Sequence, residues 1–322
     1  MSNKTYENYI EDAIFKPLDM SKSTLSLPPD SAGVIPLVPH FWDVDEGIQN
    51  PTGGIYTSSK DMSKYLRYVL IHYNDIATGV NWLNPVSPSE GLQSFYGMPW
   101  EILHTDRVLK NSRTVRFITK GGGLPGYFSV IIVVPEYDLA CTILIAGEYN
   151  MLPKVQDAVG ATIVRAAEEI AIRQLQERYT GTYKSTNQTL NSTITLVADE
   201  RGLVVERLIA NGTDALEGAF KTSPRQYVQL VPTQQFQDEQ KRRGENWRIV
   251  HSYERNADEQ SIWDDYCIAN IDGDVYAGTS LNELVFSNAA EDGKFAEVGL
   301  SAFRMNLTRS DEAHEVQELL EL

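Results

Sequence analysis

The sequence predicts an α+β unit followed by an all-β domain, and three observations carry that reading. Apolar residues recur at helical spacing up to Val69. From Thr114 to Ala146 they turn to alternation and short continuous runs, and after Tyr179 to short, evenly spaced runs separated by turns. A chain of 322 residues with 42% hydrophobic and 10% aromatic content can bury two cores, which excludes global disorder.

Taken in order, Tyr6, Tyr9, Ile10, Ala13 and Ile14 predict a first helix, stopped by Pro17 and the Leu18-Asp19-Met20 turn. Residues 21–54 read as loop, with Pro28, Pro29, Pro36, Pro39 and Pro51, and close in Gly53-Gly54. A second helix follows, capped by Ser58 or Ser59, with Asp61 in its first turn and Met62, Tyr65, Leu66 and Val69 on its buried face. Residues 75–112 read as irregular. Thr114–Thr119, Phe128–Val134 and Leu139–Ala146 predict three consecutive antiparallel strands, the last two joined by a Pro135-Glu136-Tyr137-Asp138 turn. A long helix from about Pro153 to Arg178 completes the unit. Beyond it, short strands at Thr193–Val197, Leu203–Leu208, Tyr227–Val231, Trp247–Tyr253, Tyr266–Ala269, Val275–Gly278 and Phe295–Val298 suggest an antiparallel barrel or sandwich. The domains are therefore expected at 1–175 and 176–322.

Charge narrows the function classes. The net charge is −16, with 28 Lys+Arg against 44 Asp+Glu, which argues against a nucleic-acid backbone as partner. Residues 1–175 carry 14 basic and 19 acidic groups and residues 176–322 carry 14 and 25, so most of the excess lies in the second half, where it reads as a solvated face. The longest apolar stretch, Tyr127–Val134, is far shorter than a membrane span, so no membrane is expected either. No basic and apolar leader follows Met1. Location is left open between a cytoplasmic protein, if Met1 is the native start, and a secreted one, if a signal-bearing segment precedes it. Cys141 and Cys267 read as two buried thiols or one disulfide. Five N-x-[ST] sequons, at Asn3, Asn187, Asn191, Asn211 and Asn306, are a mild excess that hints at a secreted ancestor.

Several motifs dissolve on inspection. Gly121-x-Gly123-x-x-Gly126 has the letters of a dinucleotide fingerprint, but a β run follows where a helix N-terminus is needed. Asp272-Gly273-Asp274 lacks the other ligands of a calcium loop and reads as a hairpin turn. The five histidines have no metal spacing; His104, the one best placed to border a cleft, reads as an ordinary loop residue. No G-x-S-x-G elbow occurs. No cofactor and no metal is expected; the partner expected is a small-molecule substrate.

Phe117-Ile118-Thr119-Lys120-Gly121-Gly122-Gly123 is the most suggestive stretch. Its glycines read either as a hairpin turn or as bare backbone that a ligand can approach beside an ammonium. Its setting adds a resemblance. Tyr6–Ile10 through Phe15-Lys16-Pro17-Leu18-Asp19-Met20, Gly53-Gly54-Ile55-Tyr56-Thr57-Ser58-Ser59-Lys60-Asp61-Met62, Lys120-Gly121-Gly122-Gly123-Leu124-Pro125-Gly126-Tyr127, and the Val133-Val134-Pro135-Glu136 and Ile143–Ala146 strands are together similar to the serine β-lactamase and penicillin-binding-protein-like hydrolases. The nearest type is class C-like and fungal, with an appended C-terminal β domain. The resemblance implies a truncated β-lactamase-like antiparallel sheet with flanking helices over residues 5–175. It implies Lys120 as the cation of the third catalytic motif, steering an anionic or polar substrate group, and the Gly123 N–H as an oxyanion-hole donor. Gly121, Gly122, Gly53, Gly54 and Tyr56 would border the substrate.

The departures are as informative. The family's S-x-x-K nucleophile motif occurs nowhere in these 322 residues. Thr57-Ser58-Ser59-Lys60 falls inside another landmark, and Tyr6-Glu7-Asn8 matches Y-x-N only by letter. The N-terminal part of the family fold is therefore expected to be absent from this chain, leaving a sheet with an exposed edge and an apolar face. A second copy of the chain or a separate N-terminal segment would cover them. Three functions follow in order of preference: part of a serine hydrolase or acyltransferase, a shortened member recruited to cyclisation or isomerisation in secondary metabolism, and a non-enzymatic ligand-binding protein.

Overall fold

Thr5 opens the first helix, its Oγ1 accepting the Asn8 N–H at 3.3 Å in the computed structural model, which describes residues 3–76, 82–148, 150–187, 189–220, 226–254 and 274–310. That helix, α1 (Tyr6–Ile10), continues through one π-helical turn over Glu11–Phe15 and stops before Pro17. After the proline-rich loop, α2 (Asn50–Gly53) precedes α3 (Ser59–Ile76). Ser58 Oγ accepts the Asp61 N–H at 3.3 Å and so caps α3. The Asp61 carboxylate, 1% exposed, turns back to the preceding loop. It accepts the Lys22 N–H at 2.7 Å and the Ser23 hydroxyl at 2.9 Å, while Ser23 Oγ and Thr57 Oγ1 lie 2.8 Å apart. Thr24 and Tyr56 exchange backbone hydrogen bonds beside them, both 2.9 Å. A buried carboxylate is tolerated here because its Oδ2 accepts two hydrogen bonds.

The sheet is an antiparallel meander in chain order: β1 (Ser87–Pro88), β2 (Ser94–Tyr96), β3 (Glu101–Thr105), β4 (Val115–Leu124), β5 (Tyr127–Val134) and β6 (Leu139–Ala146). Two expectations are corrected. The stretch 75–112 is not irregular throughout: it holds β1, β2 and β3, which have only two to five residues each and leave no readable alternation. His104 accordingly stands on a strand opposite Arg116, its ring centroid 4.9 Å from that of Phe95. The first long strand also does not stop at Thr119; the glycines continue it to Leu124 by pairing with β5.

A further correction concerns coverage. The sheet was expected to show a bare apolar face, yet both faces are packed. On one side Val115, Phe117, Val130, Ile132 and Val134 meet Val155, Val159, Ile163 and Val164 of α4 (Leu152–Arg178). On the other, Trp100, Ile102, Ile118 and Val133 meet Tyr65 and Leu66 of α3. The strands read as continuous apolar runs for this reason. Among the described residues β6 pairs with β5 alone.

The chain divides into two compact units at Glu168/Glu169, inside α4. The second is a closed antiparallel barrel of eight strands: β7 (Gly181–Ser185), β8 (Thr193–Asp199), β9 (Gly202–Ala210), β10 (Gln226–Asp238), β11 (Arg243–Tyr253), β12 (Glu283–Ala289), β13 (Phe295–Leu300) and β14 (Met305–Ser310). β14 pairs with β7, and β8 with β9, which closes the ring and removes free edges. Its core gathers Tyr183, Ile194, Leu208, Ile249, Phe286 and Leu300, with the Tyr179 ring within 5.1 Å of the Trp247, Phe286 and Phe295 rings. The strands named from the sequence as examples do not include β7, β12 and β14. Tyr266–Ala269 and the Asp272-Gly273 turn lie outside the described residues, and Val275–Gly278 belongs to a short ribbon over 275–280.

Two stability predictions follow from this packing. Asp61→Ala leaves the Lys22 N–H without its partner and removes one of the two Ser23 hydroxyl contacts, and in urea titration should cost about 1–3 kcal/mol; a cost near that of an exposed Asp→Ala would show that the clamp carries no weight. Burial lowers the pKa of His104, helped by the Arg116 charge, and burial lowers that of His251. Folding therefore favours the neutral rings, so stability is complete above the ordinary histidine value near 6.5 and falls as pH drops below it. The thermal midpoint should decline between about pH 7 and pH 5, and replacing both rings should flatten that decline.

Candidate active-site edge

β4 changes character midway. Up to Thr119 it has β3 on one side and β5 on the other, the last β3 pair being Glu101 with Thr119. From Lys120 to Leu124 only β5 accompanies it among the described residues, which leaves the opposite edge open there. Backbone N–H groups alternate in direction along a strand. The Gly121 N–H points to the open edge, where it meets Glu101 Oε2 at 3.0 Å, and the alternation turns the Gly123 N–H the same way. A groove of about 570 Å³ follows this edge, lined by Glu101, Thr119, Gly121 to Pro125, Phe128, Ser129, Asn150, Leu152 and Gln156 among others.

The glycines have different reasons to be glycine. A Cβ at Gly121 would meet nothing closer than Glu101 Oε2 at 3.5 Å, and one at Gly123 nothing closer than Phe128 Cδ1 at 3.8 Å. Packing does not require them, so their effect is to leave the groove floor bare. Gly122 is tighter: a Cβ there would lie 2.8 Å from Ser129 Oγ. Gly126 is obligatory: its φ is +81° and a Cβ would lie 2.8 Å from His40 Cβ.

Lys120 reaches the groove through a partner. Its Nζ is 2.7 Å from Glu101 Oε1 and 3.1 Å from the Gly121 carbonyl oxygen, and both side chains of the ion pair are nearly half exposed. The Thr119 hydroxyl donates to the Glu101 carbonyl at 2.9 Å, which fixes the strand that presents the carboxylate.

Lys120, Gly121, Gly122 and Gly123 thus come together at one edge, whereas Gly53 and Gly54 do not line the groove. They close α2, where added Cβ atoms would meet the Glu46 and Asn50 side chains at 2.9 and 2.8 Å. Tyr56 connects to the edge indirectly. Its hydroxyl donates to the Trp42 carbonyl, and the Trp42 ring stands 5.1 Å from Tyr56 and 6.2 Å from Tyr127. Burial first, then Asp43, Glu46 and Asp45, pushes the Tyr56 phenol above its ordinary value, so it remains a donor. The loop carrying Trp42 is laid on the Pro125-Gly126-Tyr127 turn by Phe41 N–H to the Pro125 carbonyl, 3.0 Å, and the Tyr127 hydroxyl to the Val34 carbonyl, 3.0 Å.

Sequence reasoning missed Glu101, Ser129, Asn150 and Gln156. Glu101 had one signal, an acidic residue following Trp100 at the start of an apolar run, but β3 is too short to advertise itself. The Cys141 thiol, on β6, is pushed up by burial; its pairing with Cys267 lies outside the described residues. Among the described residues no three His, Cys, Asp or Glu side chains converge to hold a metal.

Comparison with known proteins adds a lineage. The Beta-lactamase family model matches residues 1–164, and the model for the Beta-lactamase-like-like C-terminal domain matches residues 171–311. "Probable hydrolase clz13" of Cochliobolus lunatus is 32% identical over 96% of this chain and 52% of its own length. "Probable hydrolase M10" of a Phoma species is 32% identical over 94% and 53%. The Arthroderma benhamiae "Beta-lactamase-like protein" is 31% identical over 68% of this chain and 39% of its own length. The chain spans about half the length of the first two relatives. Among solved structures, the β-lactamase/D-alanine carboxypeptidase of Yersinia pestis is 18% identical with a TM-score of 0.40, covering 52% of this chain and 50% of that one.

The glycine geometry makes a paired prediction. Gly126→Ala should lose about 1–3 kcal/mol in urea titration, because it forces a side chain into a left-handed position against His40. Gly123→Ala should stay within about 0.5 kcal/mol. Equal losses would mean that the triplet is held by packing rather than left bare.

Proposed function

The chain belongs to the β-lactamase family, and from that premise we propose that it forms the third-motif side of a serine acyl hydrolase or acyltransferase site. The nucleophilic serine and its lysine would be supplied by an S-x-x-K segment outside these 322 residues. The observation that carries this reading is the open edge of β4, where the Gly121 and Gly123 N–H groups face outward beside the Lys120 ammonium. An acyl group laid along such an edge hydrogen-bonds to bare backbone. As the serine oxygen adds to the acyl carbonyl, its proton passing to the S-x-x-K lysine and later on to the leaving group, the carbonyl oxygen gains negative charge that the Gly123 N–H would stabilise by donating to it. Lys120 holds positive charge at the same end of the site. Collapse of that intermediate expels the alcohol or amine, and water or a second acceptor then takes the acyl group from the serine. Gly121 and Gly122 provide the floor. Tyr56 acts at one remove, through Trp42, on the turn that positions the triplet, whereas Gly53 and Gly54 close α2 away from the groove. The relatives named as hydrolases support the hydrolytic form of the reaction.

A fluorophosphonate probe tests this reading. It should label no serine in the 322-residue chain and should label one in a longer protein that carries an S-x-x-K segment. In that protein, Lys120→Ala should slow acylation about 10²- to 10³-fold, the scale of removing one electrostatic stabiliser. A labelled serine within the chain itself would overturn the assignment of the nucleophile. Turnover by the chain alone, without labelling and lost in Lys120→Ala, would instead establish a non-covalent acid–base enzyme.

A further inference from the structure

The corner formed by the Lys120 ammonium and the Gly121 N–H is built to hold an oxyanion, and it already holds one that belongs to the chain. Glu101 spans the corner with both carboxylate oxygens, Oε1 to Lys120 Nζ at 2.7 Å and Oε2 to the Gly121 N–H at 3.0 Å. Charge-assisted bonds of this kind are the strong ones. We propose that Glu101 is a specificity-determining residue of this site, an internal counter-ion that excludes carboxylate-bearing ligands from the corner and leaves the edge to neutral acyl compounds, esters or amides. The proposal rests on the acyl-binding reading of the β4 edge given above.

Three features support it. Glu101 is the last β3 residue to pair with β4, so its backbone is fixed and its carboxylate is tethered at the start of the open edge. A tethered group competes at an effective concentration that a free ligand must exceed. A ligand carboxylate would also have to leave the Glu101 charge unpartnered a few ångströms away, and like charges at such a distance repel. A neutral carbonyl meets neither obstacle, because the outward Gly123 N–H lies two residues further along the same edge.

The test is a titration of the ¹⁵N-labelled chain with benzoate and with benzamide, read at the backbone amides of Gly121 and Gly123. In the native chain benzamide should shift Gly123, and benzoate should produce no saturable shift at Gly121. Glu101→Gln, which keeps the side-chain shape, should tighten benzoate binding at least about tenfold, the scale of freeing one charge-assisted hydrogen bond. Adding Lys120→Ala should abolish that gain. Glu101→Ala provides a second variant, and the dispersion of each amide spectrum shows that the fold persists. Equal benzoate binding by the native chain and both variants would overturn the role of Glu101 while leaving the edge as a binding site. Failure of both probes to shift either glycine in every variant would overturn the acyl-binding reading, and the proposal with it.

Discussion

Everything in the first unit depends on one strand having to satisfy two opposite demands. Up to Thr119, β4 is packed on both faces, with Phe117 toward α4 and Ile118, fully buried, toward α3. A strand covered on both faces loses about 2–5 kcal/mol for each large side chain truncated to alanine, so this half is rigid. Beyond Thr119 the same strand gives up its β3 neighbour and, from Gly121 to Gly123, its side chains. A bare, one-sided backbone would fray by itself; here β5 pairs with it as far as Leu124, and the rigid half anchors its start. Precision at the edge is inherited from burial elsewhere.

The turn at the far end of that edge needs its own support, and a polar network supplies it at a distance. Asp61 ties the start of α3 to Lys22 and Ser23, and the Thr24–Tyr56 bridge lies beside that tie. Tyr56 then passes the constraint through Trp42 to Tyr127. Each contact is modest, since an aromatic pair is worth about 0.5–1.5 kcal/mol. Together they connect the Gly53-to-Met62 segment to the Lys120-to-Tyr127 segment although Gly53 and Gly54 stand outside the groove. The glycines of the first segment shape a helix end; those of the second leave room.

How much of this was legible follows from physics particular to each element. α3, α4, β5 and β6 were readable because each has a long apolar pattern of a single period. β1, β2 and β3 were not, because two to five residues cannot display a period and their partners lie across turns such as Gly97-Met98-Pro99. The continuation of β4 through Gly121, Gly122 and Gly123 was hidden for another reason: glycine has poor strand propensity, and only the β5 partner makes it a strand. Lys120 and the glycines were nominated by their order in the sequence. Glu101 could not be, since its role arises from a register, Glu101 opposite Thr119, that no local pattern encodes.

That register also alters what the overall charge can mean. The net charge is −16, and it is the family resemblance, not this charge, that makes Lys120 a cation steering an anionic or polar substrate group. The structure gives it a carboxylate partner in contact, so its field is largely cancelled close by, and the chain's acidity does nothing to restore it. A cation neutralised in this way still donates hydrogen bonds and can still stabilise charge that develops within contact distance during a reaction. It no longer draws charge in from solution. A neutral substrate that becomes an oxyanion only at the transition state is the ligand class for which both properties are useful, because the stabilisation then appears where the barrier is and not before it.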